Sequence, residues 1–517
     1  MSRAADAPDV ADAPRSHPGA LARSIAGVVA AGLALATTEI AGTVLNRTRP
    51  SVIGAIANRL IVMWAGSLKN VAVDLFGTND KAALLTGIVV VSLAVGAILG
   101  LVGRRLQWVP PLGFLVFAIV GMAAADADPL ASTRDAIISS LLGALLGSIA
   151  VALLLRNRAA NVSLSNERRD FVVGASAVAA VAIGATLLSR SLRTVGRVVT
   201  NLAGLPSPKK ATPVPDAQPF TVPGLTPYLT PSSGLYRIDT ATFVPQVEAA
   251  SWRLKIDGLV DKPKTFTYAD LLSMDLIEEP ITIACVSNDV GGHLVGNALW
   301  RGVPLAHLLD AVGVHPDATQ IVGRAVDDFT VGFPTATALD GRVAMVALGM
   351  NGEPLPAVHG YPARLIIAGL YGYVSATKWL AEINLTRRDD FNAFWIDRGW
   401  SKDGPIKTET RIDVPASGTA VPAGAVEIAG VSWEPSVGVS KVEVQIDRGP
   451  WRQARLGAVG SRNTWVQWLY TWDGATAGDH IVAARATDRN GVTQTDQTAP
   501  PEPSGATGYP YRGFQVR

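Results

Sequence analysis

Residues 281–292 read Ile281-Thr282-Ile283-Ala284-Cys285-Val286-Ser287-Asn288-Asp289-Val290-Gly291-Gly292. Apolar and β-branched residues run up to Cys285, then polar residues and two glycines begin. The pattern predicts a buried strand that ends at the cysteine. Cys285 is the one cysteine in 517 residues. That excludes an intrachain disulfide, a thiolate-held iron–sulfur cluster and a Cys-type structural zinc. A cysteine after an apolar strand ordinarily packs as a small hydrophobe. At a strand end it can also act as a nucleophile, given a histidine base, or as a thiolate ligand to a soft metal. His293, His307, His315 and His359 are available as bases, but no cysteine-protease signature accompanies them.

Downstream, residues 359–379 place His359, Arg364 and Lys378 around an apolar run, with Gly369 and Gly372 permitting close backbone approach. Three cationic or ring-nitrogen side chains in that layout suit an anionic, phosphate-bearing ligand. No G-x-x-x-x-G-K-[ST] and no G-x-G-x-x-G after a strand occurs, so the nucleotide-binding motifs are absent.

Outward from these stretches the composition splits. The chain is 48% hydrophobic and 17% charged, against about a quarter charged for an ordinary soluble chain. Its net charge of +2 argues against a nucleic-acid binder. The excess hydrophobicity lies before residue 200. Residues 25–45, 82–103, 108–125, 136–155 and 171–189 are apolar stretches long enough to cross roughly 30 Å of hydrocarbon as helices. Glu39 interrupts the first and is a candidate functional group or helix–helix contact. Residues 52–76 carry Arg59, Lys69 and Asp74 with apolar residues at helical spacing, and predict an amphipathic helix in the interface. No histidine lies in 21–200, so the spans lack axial ligands for a b-type haem.

Five crossings with the N-terminus inside put Arg3, Arg15, Arg23, Arg104, Arg105, Arg156, Arg158, Arg168 and Arg169 in the cytoplasm. Arg47, Arg49, Arg59, Lys69, Lys81 and Arg134 then lie outside. That bias places everything after residue 190 on the extracytoplasmic side. Arg168-Arg169 before Phe171 and an Ala/Gly-rich run also has the pattern of a twin-arginine export signal. The organisation read from the sequence is a tail (1–20), a transmembrane anchor (21–195), a Pro-rich linker (196–235), an α+β domain (236–410) and an all-β domain (411–517). The strict alternation of residues 441–447, with strand-like runs at 426–433, 465–472 and 480–487, gives the last its sandwich-like spacing.

Taken together, the motifs resemble the sulfite oxidase family of molybdopterin enzymes over about residues 234–500. The matching run is His359-Gly360-Tyr361-Pro362 with Arg364, Gly369, Gly372 and Lys378-Trp379. Before it come Met350-Asn351-Gly352-Glu353-Pro354-Leu355-Pro356, Cys285 with Asn288, Trp300-Arg301-Gly302-Val303-Pro304-Leu305, Tyr236-Arg237, and Trp252 with Leu254, Ile256 and Gly258. The resemblance implies that Cys285 ligates molybdenum. It further implies that Arg237 acts near the metal, and that Arg237, Asn288, His359, Arg364 and Lys378 hold the molybdopterin and its phosphate. The all-β tail is similar to the family's immunoglobulin-like dimerisation domain and implies a homodimer.

The sequence departs from the family at two places. The family's R-N-H becomes Arg237-Ile238-Asp239, and its active-site tyrosine position is Leu348. The implied protein is a multi-pass plasma-membrane oxidoreductase. It would act on a small oxyanion, sulfur compound or sulfoxide, with a quinone or a cytochrome as electron partner, no haem or iron–sulfur cluster, and no nucleic acid. The alternative is a non-catalytic, membrane-tethered binding or assembly protein that retains the fold. A reporter enzyme fused to the C-terminus is expected to be active only outside the cytoplasm; activity confined to the cytoplasm would mean that residues 52–76 cross.

Overall fold

The computed structural model describes residues 20–46, 49–64, 80–103, 105–155, 204–215 and 220–517. The expected span at 171–189, the Arg168-Arg169 pair and residues 65–76 lie outside the described residues. The chain divides into two units, Met1–Val198 with Thr240–Phe243, and Val199–Asp239 with Val244–Arg517.

The first unit contains α1 (Ala20–Leu45), α2 (Val52–Trp64), α3 (Asp80–Val102), α4 (Val109–Asp126) and α5 (Thr133–Leu155). Among the described residues four helices are long and apolar enough to cross a membrane: α1, Lys81–Val102 of α3, α4 and α5. Pro110 and Pro111 open α4, where a missing N–H costs no helical bond. At 1.5 Å per residue the thirteen residues of α2 reach only about 20 Å. Val52 and Ala55 of α2 pack with Ala124, Ala125 and Ala136, and Asn58 Nδ2 donates to Asp128 Oδ2 at 2.8 Å.

Small residues let these helices approach closely. A Cβ added to Gly96 of α3 would stand 2.5 Å from the Ala31 Cβ and 2.7 Å from the Gly27 carbonyl oxygen of α1. A Cβ on Gly143 of α5 would stand 2.7 Å from the Ala34 oxygen. Gly96→Val is therefore expected to destabilise this unit by about 1–3 kcal/mol, read as a lowered unfolding temperature of the detergent-solubilised chain.

The second unit begins with two sheets. Its strands are β1 (Lys210–Ala211), β2 (Arg253–Gly258), β3 (Lys264–Thr267), β4 (Ile277–Ala284), β5 (Val295–Pro304), β6 (Gln320–Ala325), β7 (Thr330–Pro334), β8 (Ala344–Met350), β9 (Glu353–Pro354), β10 (Arg364–Ile367) and β11 (Leu380–Thr386). One sheet runs β1-β4-β5-β8-β10 with β9 on β8; the other runs β3-β2-β11-β6-β7. Pairing is antiparallel except for β1–β4 and β2–β11. The main apolar core draws Ile256, Phe266, Val303, Leu308, Ile321, Phe333, Leu365 and Ile383 from both sheets and the intervening helix Leu305–Val312. These mixed helices and strands are the α+β pattern that the sequence predicts.

Residues 409–516 add β12 (Glu409–Val414), β13 (Ala420–Val421), β14 (Gly424–Trp433), β15 (Val439–Ile446), β16 (Arg452–Gln453), β17 (Arg455–Leu456), β18 (Val466–Ala475), β19 (Gly478–Asp488) and β20 (Tyr511–Val516). They form the sheets β12-β14-β18-β17 and β13-β20-β19-β15-β16, which enclose a second core around Ile428, Val442, Trp468 and Val482. The expected alternating strand is β15, and the turn after it carries Asp447 and Arg448 at positive φ.

The Pro-rich stretch differs from a free spacer. Within 204–215 and 220–235, Lys210 and Ala211 pair with β4, and Phe220, Tyr228 and Leu235 are buried against this unit. Proline rigidity limits regular structure there, but the apolar residues between the prolines still have cores to join.

Candidate functional site

The β4–β5 ladder runs from Ile277 opposite Gly302 to Ala284 opposite Val295. Cys285 lies one step past it. Its N–H donates to the Leu294 carbonyl at 2.9 Å, and its own carbonyl accepts from the Asn288 N–H at 3.1 Å. Asn288 Oδ1 accepts the Leu294 N–H at 2.8 Å, which closes the loop. The strand therefore ends where the alternation ends, and the thiol stands at the lip of the sheet, 9% exposed.

Two long-range groups brace this loop. Arg411 of β12, ion-paired to Asp413 at 2.6 Å, donates to the Gly292 carbonyl at 3.3 Å. Asn288 lies against the buried carboxyl of Glu409; burial pushes that carboxyl up to about 8, with the Asn288 side chain pulling the other way.

Tyr236 and Gly372 face the Cys285 strand end. A Cβ on Gly372 would stand 3.8 Å from both the Ala284 carbonyl oxygen and the Tyr236 hydroxyl. Burial first, and then the nearby Cys285, push the Tyr236 phenol up, while Arg364 pulls it down. Leu348 is on β8 and fully buried in the main core.

The cationic group is adjacent. His359 is buried, and its Nε2 bonds the Ser232 carbonyl at 2.7 Å. Burial lowers its pKa to about 4, so at neutral pH it is an uncharged ring donating through Nε2. Gly360, at φ +107°, permits the close approach: a Cβ there would lie 2.9 Å from the Lys378 Cα. Arg364 begins β10, lies over the Trp300 ring at 5.0 Å and donates to the His359 carbonyl at 3.2 Å. Burial brings its pKa down to about 10, and its Nε is buried without a partner.

Lys378 lies over the Trp379 ring at 4.7 Å and pairs with Asp239 Oδ2 at 2.7 Å. Burial lowers the Lys378 pKa to about 8 against the pull of Asp239. The same Asp239 oxygen accepts from Arg237 Nε at 2.9 Å, and the Arg237 side chain is otherwise turned to solvent. A buried ammonium needs such a counter-ion. The residue that departs from R-N-H thus ties two cations together.

The structure brings Cys285 and Asn288 to one loop, and His359, Arg364, Lys378 and Arg237 to one cationic group. Charge interactions link Arg364 with Tyr236, His359 and Lys378. Glu409 and Arg411 belong to this neighbourhood without having been singled out by sequence, and Tyr236 and Asp239 were named there only as neighbours of Arg237, with no role. For Asp239, an acid inside an otherwise cationic motif was the available signal. Glu409 and Arg411 reach the loop only through tertiary pairing.

A family model described as the oxidoreductase molybdopterin binding domain matches residues 241–395. The uncharacterized oxidoreductase YuiH of Bacillus subtilis is 31% identical over 162 residues, which is 31% of this chain and 78% of that one. The sulfite oxidase of Gallus gallus is 25% identical over 307 residues, covering 50% of this chain and 66% of that protein. The NADPH nitrate reductase of Beauveria bassiana is 32% identical over 173 residues, 29% of this chain and 19% of its own length. The chain thus spans less than two thirds of the latter two. These likenesses define a molybdenum-cofactor-dependent oxidoreductase. The chain belongs to the sulfite oxidase family.

The residues present fit that cofactor. Arg364 Nε is a buried donor without a partner, and Gly372 leaves room at the backbone beside the Cys285 strand end. Among the described residues no group of three or more His, Cys, Asp or Glu side chains could hold a metal ion.

The Glu409 carboxyl binds its proton more tightly folded than unfolded, so its contribution to stability is present at low pH and is lost as pH rises through about 8. Glu409→Gln is expected to leave stability nearly unchanged at low pH. Well above pH 8 it should raise stability by roughly 2 kcal/mol, measured by denaturant unfolding at both pH values.

Proposed function

We propose that this chain is a membrane-anchored molybdopterin oxidoreductase with Cys285 as a metal ligand, acting on a small oxyanion, sulfur compound or sulfoxide outside the cytoplasm. The observation that carries it is the convergence of a strand-end thiol with the buried, partnerless Arg364 Nε and the Lys378–Asp239–Arg237 group. When bound, the cofactor supplies two-electron or oxygen-atom transfer chemistry.

The chain's residues bind and orient. Asn288 fixes the Cys285 loop by accepting the Leu294 N–H. Arg364 and Lys378, backed by Trp300 and Trp379, offer charge-assisted donors to the pterin and its phosphate. His359, neutral and donating to Ser232, holds the 232–239 strap against the site. Arg237 remains the candidate contact for an anionic substrate, with Asp239 setting its direction.

We read the remaining organisation in the same terms. Residues 21–195 are the anchor and 196–235 the segment joining it to the soluble part. Residues 236–410 form the cofactor domain, and 411–517 an immunoglobulin-like, dimerising domain. Electrons pass to a quinone or cytochrome, and Arg168-Arg169 serves export of the folded, loaded domain.

Metal analysis tests the reading. Purified wild type is expected to contain molybdenum, and Cys285→Ser to lose most of its activity with sulfite or dimethyl sulfoxide. A wild type without molybdenum, or a serine variant with full metal and full turnover, would contradict it. A loaded protein that turns over no oxyanion or sulfoxide with artificial electron carriers would favour the binding or assembly role instead.

A further inference from the structure

Between Ser232 and Asp239 the chain crosses the site as a strap, and its side chains divide their work. Leu235 is buried in the small core formed by Ile281, Ile283, Tyr361 and Ala368, and a Cβ on Gly296 would meet its Cδ1 at 2.5 Å. Asp239 is tied to Lys378. The Tyr236 ring packs against the same small core as Leu235, which fixes where its hydroxyl can be. That hydroxyl and the Ala284 carbonyl flank the point where a Gly372 Cβ would lie, each 3.8 Å away. Ala284 is the residue before Cys285, so the phenol and the bare edge of Gly372 border the strand end that carries the cysteine.

A phenol in such a place ordinarily finds a hydrogen-bond partner. Among the described residues no hydrogen bond engages the Tyr236 hydroxyl. Tyr373 donates to the Ser401 carbonyl at 2.6 Å, and Tyr228 to Thr464 Oγ1 at 3.0 Å. Tyr371, whose phenol also feels Cys285, accepts the Lys407 N–H at 3.5 Å. Of the two phenols within electrostatic reach of Cys285, Tyr236 is the one with no hydrogen bond to a described residue.

We propose that Tyr236 is the hydroxyl donor of the reaction site: its O–H donates to the oxygen of a substrate held in front of the Cys285 sulfur. The inference rests on the reading of Cys285 as the metal ligand. It assigns the phenol no covalent or redox step. The hydroxyl keeps its proton and orients an oxygen. Such a preorganised donor acts most strongly where water is excluded. A side chain at 372 would extend toward the Ala284 carbonyl and the Tyr236 hydroxyl, where glycine leaves space.

Tyr236→Phe in the full, detergent-solubilised and cofactor-loaded chain tests this. The ring packing survives the change, and the donor does not. The expected result is wild-type molybdenum per chain and an unchanged unfolding temperature. The turnover number with sulfite or dimethyl sulfoxide, whichever the wild type uses, should fall about a hundredfold. The paramagnetic resonance signal of the half-reduced metal should also be altered. Tyr228→Phe, which removes a committed structural hydroxyl, should lower the unfolding temperature and leave that signal as in the wild type. A loaded Tyr236→Phe chain with wild-type turnover and signal overturns the assignment, and so does one that loses metal in step with activity, which would make Tyr236 a packing residue. A wild-type chain without molybdenum overturns the Cys285 reading and this inference together.

Discussion

Cys285 is fixed because a β-ladder stops directly before it. Eight residues of β4 pair across to β5, and the next backbone bond, from Cys285 N–H to the Leu294 carbonyl, ends the run. The loop that follows satisfies its polar groups with its own Asn288 side chain and with Arg411 from β12. The Cys285 backbone is bonded on both sides, which fixes where its side chain leaves the chain. The cationic residues are arranged around this fixed point.

Electrostatics explains the second half of the site. Burying Lys378 and Arg364 costs free energy unless each finds an anion, a ring face or a hydrogen-bond acceptor. Lys378 has Asp239 and the Trp379 face; Arg364 has the Trp300 face and one carbonyl, with Nε left over. The chain thus compensates most of its buried charge internally and leaves a small remainder. A remainder of donors, rather than a complete network, is what a site for an oxygen-rich ligand requires.

Much of this was legible in the sequence because it is encoded locally. The end of alternation after Ala284, the cations at 359, 364 and 378, and the glycines between them are all short-range patterns. The structure places these residues at a strand end, at the start of β10 and at a close backbone approach. The long apolar helices were legible for the same reason, since length and composition alone define them. Contacts made across long separations were not legible. Glu409 and Arg411 look like ordinary strand residues until β12 is laid beside the Cys285 loop. The Pro-rich stretch reads as a spacer because prolines dominate its local signal, yet Phe220, Tyr228 and Leu235 anchor it in the fold. Asp239 reads as the loss of a polar contact and is instead the counter-ion of two cations. Tyr236 hides beside a motif arginine, and only the packing of its ring on the small core, against the part-exposed Arg237, separates their roles.

The central proposal is one bond, from the Cys285 sulfur to molybdenum. X-ray absorption at the molybdenum edge of the purified chain measures it directly. A metal shell containing one more sulfur than the dithiolene provides, reduced by that one sulfur in Cys285→Ala, is the predicted result. A sulfur count that is the same in both proteins would contradict it.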